Sequence, residues 1–197
     1  MSAPSASLFR NPLVWLRRFR HRRGYGVHSP FAFAFITGVI YERLPYYAYT
    51  RLSRLHPWWV RWLRLQPLQR CRLLFRLANY AEPRTVCLVG LTDTYNKYVR
   101  AAVTRAQFRE CASCAEAVAS DFVVVGTRDV QAAAALCGKM SAGAMLVVEG
   151  IHDSAANLSV WQDICDDGNT CITFDLYDFG IALFDHRLAK QHYVVNF

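Results

Sequence analysis

The sequence predicts an α/β fold: a mostly parallel sheet covered by helices, and a helical region in front of it. Three observations predict this. After Pro83, short β-branched runs alternate with segments of 3.6-residue periodicity, the pattern of strand-helix-strand units. The runs Val123-Val124-Val125 and Met145-Leu146-Val147-Val148 are apolar without alternation, as central strands covered on both faces are. Residues 1–82 hold 14 arginines, no lysine and two acids, a net +12, whereas residues 83–197 hold 9 basic and 13 acidic residues, a net −4. The shift divides an Arg-rich helical N-terminal region, 1–82, from an α/β domain, 83–197.

In the first region, residues 11–23 alternate Leu13, Val14, Trp15, Leu16 and Phe19 with Arg17, Arg18, Arg20, Arg22 and Arg23, an amphipathic basic helix that stops at Gly24-Tyr25-Gly26. A second helix starts after Ser29-Pro30, with Ser as N-cap and Pro in the first turn, and continues toward Pro45. Helical segments over 46–55 and 57–65 follow. The latter puts Trp58, Trp62 and Leu65 on one side at i, i+4, i+7, a stripe that suits a membrane interface, the core or a protein interface. Residues 66–81 form a last helix with Cys71, Leu74, Phe75 and Ala78 as its buried stripe.

In the second region the strand candidates are 85–90, 108–110, 121–126, 144–149, 171–176, 180–184 and 192–197. Helical stripes lie between them: Tyr95, Tyr98, Val99 and Ala102; Val130, Ala133, Ala134 and Cys137; Leu158, Trp161 and Cys165. The turn after the first strand reads Gly90-Leu91-Thr92-Asp93-Thr94, with one glycine where a nucleotide-binding α/β protein keeps several. Backbone approaches a ligand closely mainly where side chains are absent.

Composition narrows the classes. With 53% apolar and 14% aromatic residues the chain is globular rather than disordered. Arginines interrupt every apolar run that approaches the roughly 20 residues of a membrane span, and the first residues lack a secretory pattern, so a cytoplasmic protein is expected. The seven cysteines fall mostly inside apolar runs and read as buried thiols in a reducing compartment. Cys111 and Cys114 form a lone C-x-x-C without a second pair at zinc spacing, so no metal site is expected. An arginine-only basic segment binds phosphate on nucleic acid or an anionic lipid surface, or docks on the chain's own acidic half.

Four blocks carry a resemblance. They are Gly26-Val27-His28-Ser29-Pro30-Phe31-Ala32-Phe33 followed by Pro45-Tyr46-Tyr47-Ala48-Tyr49; Leu74-Phe75-Arg76-Leu77-Ala78-Asn79-Tyr80 leading into Pro83-Arg84-Thr85-Val86; Leu146-Val147-Val148-Glu149-Gly150-Ile151-His152-Asp153-Ser154; and Phe174-Asp175-Leu176-Tyr177-Asp178-Phe179-Gly180-Ile181, ending in Lys190-Gln191-His192-Tyr193. With these, the chain resembles a bacterial family of class I S-adenosylmethionine-dependent methyltransferase-like proteins nearly end to end. The resemblance implies a Rossmann-like sheet, mostly parallel with an antiparallel C-terminal strand, S-adenosylmethionine as cofactor, and cofactor-contacting positions at Gly90, Thr92, Thr94, Glu110 and Gly126. Glu110 matches the acid that accepts hydrogen bonds from the ribose hydroxyls.

Departures from the family pattern are as informative. Leu88 occupies the place of the family's acid and Thr94 that of a later glycine. Only 14 residues separate Ala106 from Asp121, whereas a parallel crossover alone needs about a dozen, so one strand-helix unit is expected to be missing, and with it one side of the adenine pocket. Gly126-Thr127 stands where the family has Asp-Gly, and Glu149-Gly150 where it has paired aspartates, which leaves too few oxygen ligands for a divalent metal. The candidates for acceptor deprotonation are His152 and Asp153, at the carboxyl edge of the sheet. Asp153 or Ser154 alternatively caps the following helix, and His28, before Ser-Pro, suits a turn.

The sequence is therefore read as a divergent, shortened methyltransferase-like protein with weakened or lost cofactor binding. The alternative is a non-catalytic binding module that uses Arg17, Arg18, Arg20, Arg22 and Arg23 on nucleic acid, an anionic membrane surface or an acidic protein.

Overall fold

A computed structural model describes residues 16, 18, 26–63, 65–109, 111 and 113–197. The helix expected over 11–23 lies outside the described residues, as do Arg17, Arg20, Arg22, Arg23 and Glu110; Arg18 is described.

Helix α1, Pro30–Phe35, begins as expected, with Ser29 Oγ accepting the Ala32 N–H at 3.3 Å. It does not continue as α-helix toward Pro45. Its last turn, Ile36–Ile40, is π-helical, closed by Tyr41 N–H donating to the Ile36 carbonyl. The reason lies in α4, whose Arg76 is buried and donates from Nε to the Val39 carbonyl at 2.6 Å and from Nη2 to the Ile40 carbonyl at 2.7 Å. A guanidinium satisfies the terminal carbonyls that another helical turn would have used. Two short helices follow, α2 at Tyr49–Leu52 and α3 at Trp58–Trp62. Then comes α4, Gln66–Ala81, which ends with Glu82 in the left-handed region at φ 41°.

The α/β part runs β1 (Thr85–Val89), α5 (Asp93–Ala102), β2 (Gln107–Arg109), a 3-10 segment (Cys114–Ala119), β3 (Phe122–Val125), a 3-10 turn (Val130–Ala132), α6 (Ala134–Cys137), β4 (Met145–Glu149), α7 (Ala155–Asp166), β5 (Ile172–Asp175), β6 (Phe179–Leu183) and β7 (Gln191–Val194). The seven strands are ordered β2-β1-β3-β4-β6-β5-β7. β1 to β4 pair in parallel, β6 is antiparallel to both neighbours, and β7 is parallel to β5. The reversed strand is thus the penultimate one, and the terminal strand extends the edge beside β5. β2 forms the opposite edge, and among the described residues a 3-10 segment stands between it and β3. The result is a mostly parallel, Rossmann-like sheet.

Period-two alternation sorts the central strands onto two cores. Val86, Phe122, Val124, Met145 and Val147 face one layer with α1 to α5; Cys87, Val89, Val123, Val125, Leu146 and Val148 face the other with α6 and α7. The expected stripe of α4, Cys71, Leu74, Phe75 and Ala78, is buried, and so are Leu68, Leu73 and Leu77, because α4 lies between the sheet and the N-terminal helices. On the other layer, Gly180 is needed for fit: a Cβ there would stand 2.4 Å from the buried ring of Trp161.

One further expectation is corrected. Cys87 and Cys111 are joined as a disulfide rather than being thiols, because the end of β2 returns alongside β1, where Cys87 pairs with Arg109. Cys71, Cys114, Cys137, Cys165 and Cys171 are free. The stripe Trp58, Trp62 and Leu65 divides: α3 ends at Trp62, Trp58 is 73% and Trp62 77% exposed, and Leu65 is buried, as is Val60.

Candidate functional site

Ligands of open α/β sheets bind at the carboxyl ends of the strands, where the order reverses around β1 and β3. There the Gly90 turn has φ +64°, a conformation that favours glycine. Thr92 closes the turn as N-cap of α5, its hydroxyl accepting the Tyr95 N–H at 3.4 Å, and Thr94 sits half-buried in the first turn of that helix. Gly126 donates its N–H to the Val89 carbonyl at 2.8 Å, and a Cβ on it would stand 2.4 Å from the Gly90 carbonyl. The β1 and β3 turns therefore pack against each other through their glycines.

A tight turn follows, with Asp129 N–H donating to the Gly126 carbonyl at 3.0 Å, and it folds Asp129 back over Gly90. Its Oδ2 lies 1.9 Å from where a Cβ on Gly90 would stand. The side-chain-free face of the glycine is thus covered by the chain's own carboxylate.

At the end of β4, Gly150 (φ +73°) donates to the Asp178 carbonyl at 2.7 Å, and its open face is covered by Thr127 and Asp153, whose Oδ2 lies 2.6 Å from a Cβ built there. Ser154, not Asp153, caps α7, accepting the Asn157 N–H at 3.0 Å.

His152 is not paired with its neighbour Asp153. Its Nε2 lies 2.8 Å from Oδ2 of Asp175, the last residue of β5, and Asp175 is held bidentate by Arg18, Nη1 to Oδ1 at 2.8 Å and Nη2 to Oδ2 at 3.0 Å. The shorter contact is Nε2–H donating to the carboxylate, which leaves Arg18 Nη2 packed at 3.1 Å against the same nitrogen. Tyr177 stacks on the imidazole at 4.8 Å and 7°, and the Arg18 guanidinium lies 5.2 Å from the Tyr177 ring. Burial alone would raise the Asp175 pKa; hydrogen bonds from His152 and Arg18 outweigh it and hold the carboxyl well below the ordinary aspartate range.

A second cluster had no role in the sequence reading. Buried Arg70 on α4 binds Asp178, Nη2 to Oδ1 at 2.8 Å and Nε to Oδ2 at 3.2 Å. Beside it, burial raises the Glu149 carboxyl pKa, opposed by a hydrogen bond from Tyr95 and the Arg70 charge. The available signal was the block 174–181, which brings Asp175 and Asp178 into one loop. Among the described residues, no group of three or more His, Cys, Asp or Glu side chains is placed to hold a metal ion.

Of the positions that the resemblance assigns to S-adenosylmethionine, Gly90, Thr92, Thr94 and Gly126 lie among the described residues and Glu110 does not. The Gly90 face is covered by Asp129, a carboxylate that would oppose the cofactor's own α-carboxylate. The Thr92 hydroxyl serves its helix, Gly126 is closed by Gly90, and among the described residues no strand stands beyond β2.

No family model and no curated protein matches the chain. Among solved structures it is similar to the SAH-bound Podospora anserina methyltransferase PaMTH1, at 12% identity and a TM-score of 0.38, over 73% of this chain and 99% of that one. It is also similar to the MycE methyltransferase of the mycinamycin biosynthetic pathway in complex with Mg and SAH, at 13% identity and a TM-score of 0.45, over 94% of this chain and 62% of that one. Likeness at this level carries no inference about what this chain binds.

Proposed function

We propose that the chain is a methyltransferase-like protein in which the grip on S-adenosylmethionine has been lost while the sheet that once served it is kept. The observation that carries this reading is the Asp129 carboxylate lying on Gly90. Backbone at a side-chain-free turn serves a ligand only while its face stays open, and a carboxylate there competes with the ligand for the same atoms. The edge position of β2 supports the reading, since it leaves an adenine open to water on one side. The acceptor side is closed as well: His152, the candidate base, is tied to Asp175 under Tyr177, and Arg18 blocks the carboxylate.

Thermal unfolding with S-adenosylmethionine and with its demethylated product, each at millimolar concentration, tests this. A ligand at about 100 times its Kd stabilises the native state by about 2.7 kcal/mol, a shift of several degrees. The expected result is no shift with either. A clear rise with either ligand overturns the reading and restores an active methyltransferase using Gly90 and Glu110.

The exposed Arg and Trp side chains of the N-terminal half favour a second reading, a binding module that uses the fold as a scaffold.

A further inference from the structure

We infer that the face formed by α3 and the turn before it docks on an anionic lipid surface; this inference names the partner of the binding-module reading and rests on it. Trp58 and Trp62, at i and i+4 of α3, are 73% and 77% exposed, with Leu63, Leu55 and Trp59 at 50%, 44% and 36% around them. Large side chains this open on so short a helix are not there by default, because Val60 and Leu65 already seat the segment in the core. Arg51, Arg54 and Arg61 are exposed on the same stretch. From residue 43 to residue 81 the chain contains no aspartate or glutamate.

Each feature fits a bilayer interface. Indole rings settle at headgroup depth with the ring apolar and the N–H wet, and guanidinium groups pair with lipid phosphates. A single-sign field with no acid over the stretch complements a uniformly anionic plane rather than a protein surface of mixed charge. Single-stranded nucleic acid would also stack on tryptophan, but it offers nothing to Leu55 and Leu63, whereas acyl chains bury them.

The test is sedimentation of the full chain with vesicles of phosphatidylcholine alone and of phosphatidylcholine with phosphatidylglycerol, at low and high salt, with tryptophan quenching by brominated acyl chains. Binding is expected only with phosphatidylglycerol, with quenching, and weakened by salt. Trp58→Ser with Trp62→Ser should lower partitioning at least tenfold, and Arg51→Gln, Arg54→Gln and Arg61→Gln together by roughly a hundredfold, about fivefold each. These side chains are exposed, so unchanged thermal unfolding confirms intact variants.

No association with anionic vesicles at low salt overturns the inference, as does binding that ignores both variant sets. Binding of single-stranded RNA without vesicle binding overturns it while leaving the module reading standing. A concentration-dependent dimer abolished by the tryptophan pair overturns it in favour of a second copy. Failure with vesicles and RNA alike overturns the inference and leaves the module reading an acidic protein alone as partner.

Discussion

Asp175 shows how one buried carboxylate ties together parts of the chain that are far apart in sequence. Its pKa lies below the ordinary range in the folded state, so its contribution to stability is complete above about pH 4 and is lost as pH falls through that region. Asp175→Asn is expected to cost about 3 kcal/mol at neutral pH, because Arg18, 14% exposed, then keeps its charge without a counter-charge. Urea unfolding from about pH 7 to about pH 2 should show the wild type losing more of its stability below pH 4 than the variant does. Sequence alone brought out His152 and Asp153 as neighbours in one loop but not Asp175 as the partner. The pairing depends on register: Gly180 of β6 lies opposite Val148 on one side and Asp175 on the other, which levels the ends of β4 and β5. Asp129 stayed hidden for a related reason. Its position over Gly90 follows from a turn four residues long, and nothing in residue type marks it.

Among the elements, those with local signals were legible. Ser29 before Pro30 and the apolar period of residues 66–81 gave α1 its start and α4 its bounds. The end of α1 was not legible, because a side chain 36 residues away sets it. Arg76→Met should cost about 3 kcal/mol by leaving the Val39 and Ile40 carbonyls without their charged donor. Arg76→Lys should recover part of this, since an ammonium lacks the fork that reaches both oxygens. Urea unfolding measures the cost, and hydrogen exchange at the Tyr41 amide, which closes the π-helical turn, should speed up in both variants. Period also fails on α3. The stripe at i, i+4, i+7 assumes a helix running through Leu65, but α3 ends at Trp62, so the two tryptophans meet solvent while Leu65 is buried.

Across the whole molecule, the charge step at Pro83 is not a packing boundary. Phe35, Ile40, Leu74 and Phe75 share one core with Val86, Phe122, Val147 and Phe174. Four of the five tryptophans precede residue 83, and Trp161 lies in the other core layer. Urea transitions followed by tryptophan fluorescence and by far-ultraviolet circular dichroism should therefore coincide; separate midpoints would show two independently folding units. Parallel pairing was legible up to β4 from the strand-helix alternation, although the order was not: β1 lies between β2 and β3. Beyond β4, β6 enters between β4 and β5, so two strands made earlier are held together by one made later. During synthesis, the nascent chain cannot join its two half-sheets until Leu183 has cleared the ribosomal exit tunnel. Until then the flanks of β4 and β5 stand open to chaperones, and a polypeptide stopped short of Phe179 would be left with those flanks permanently exposed.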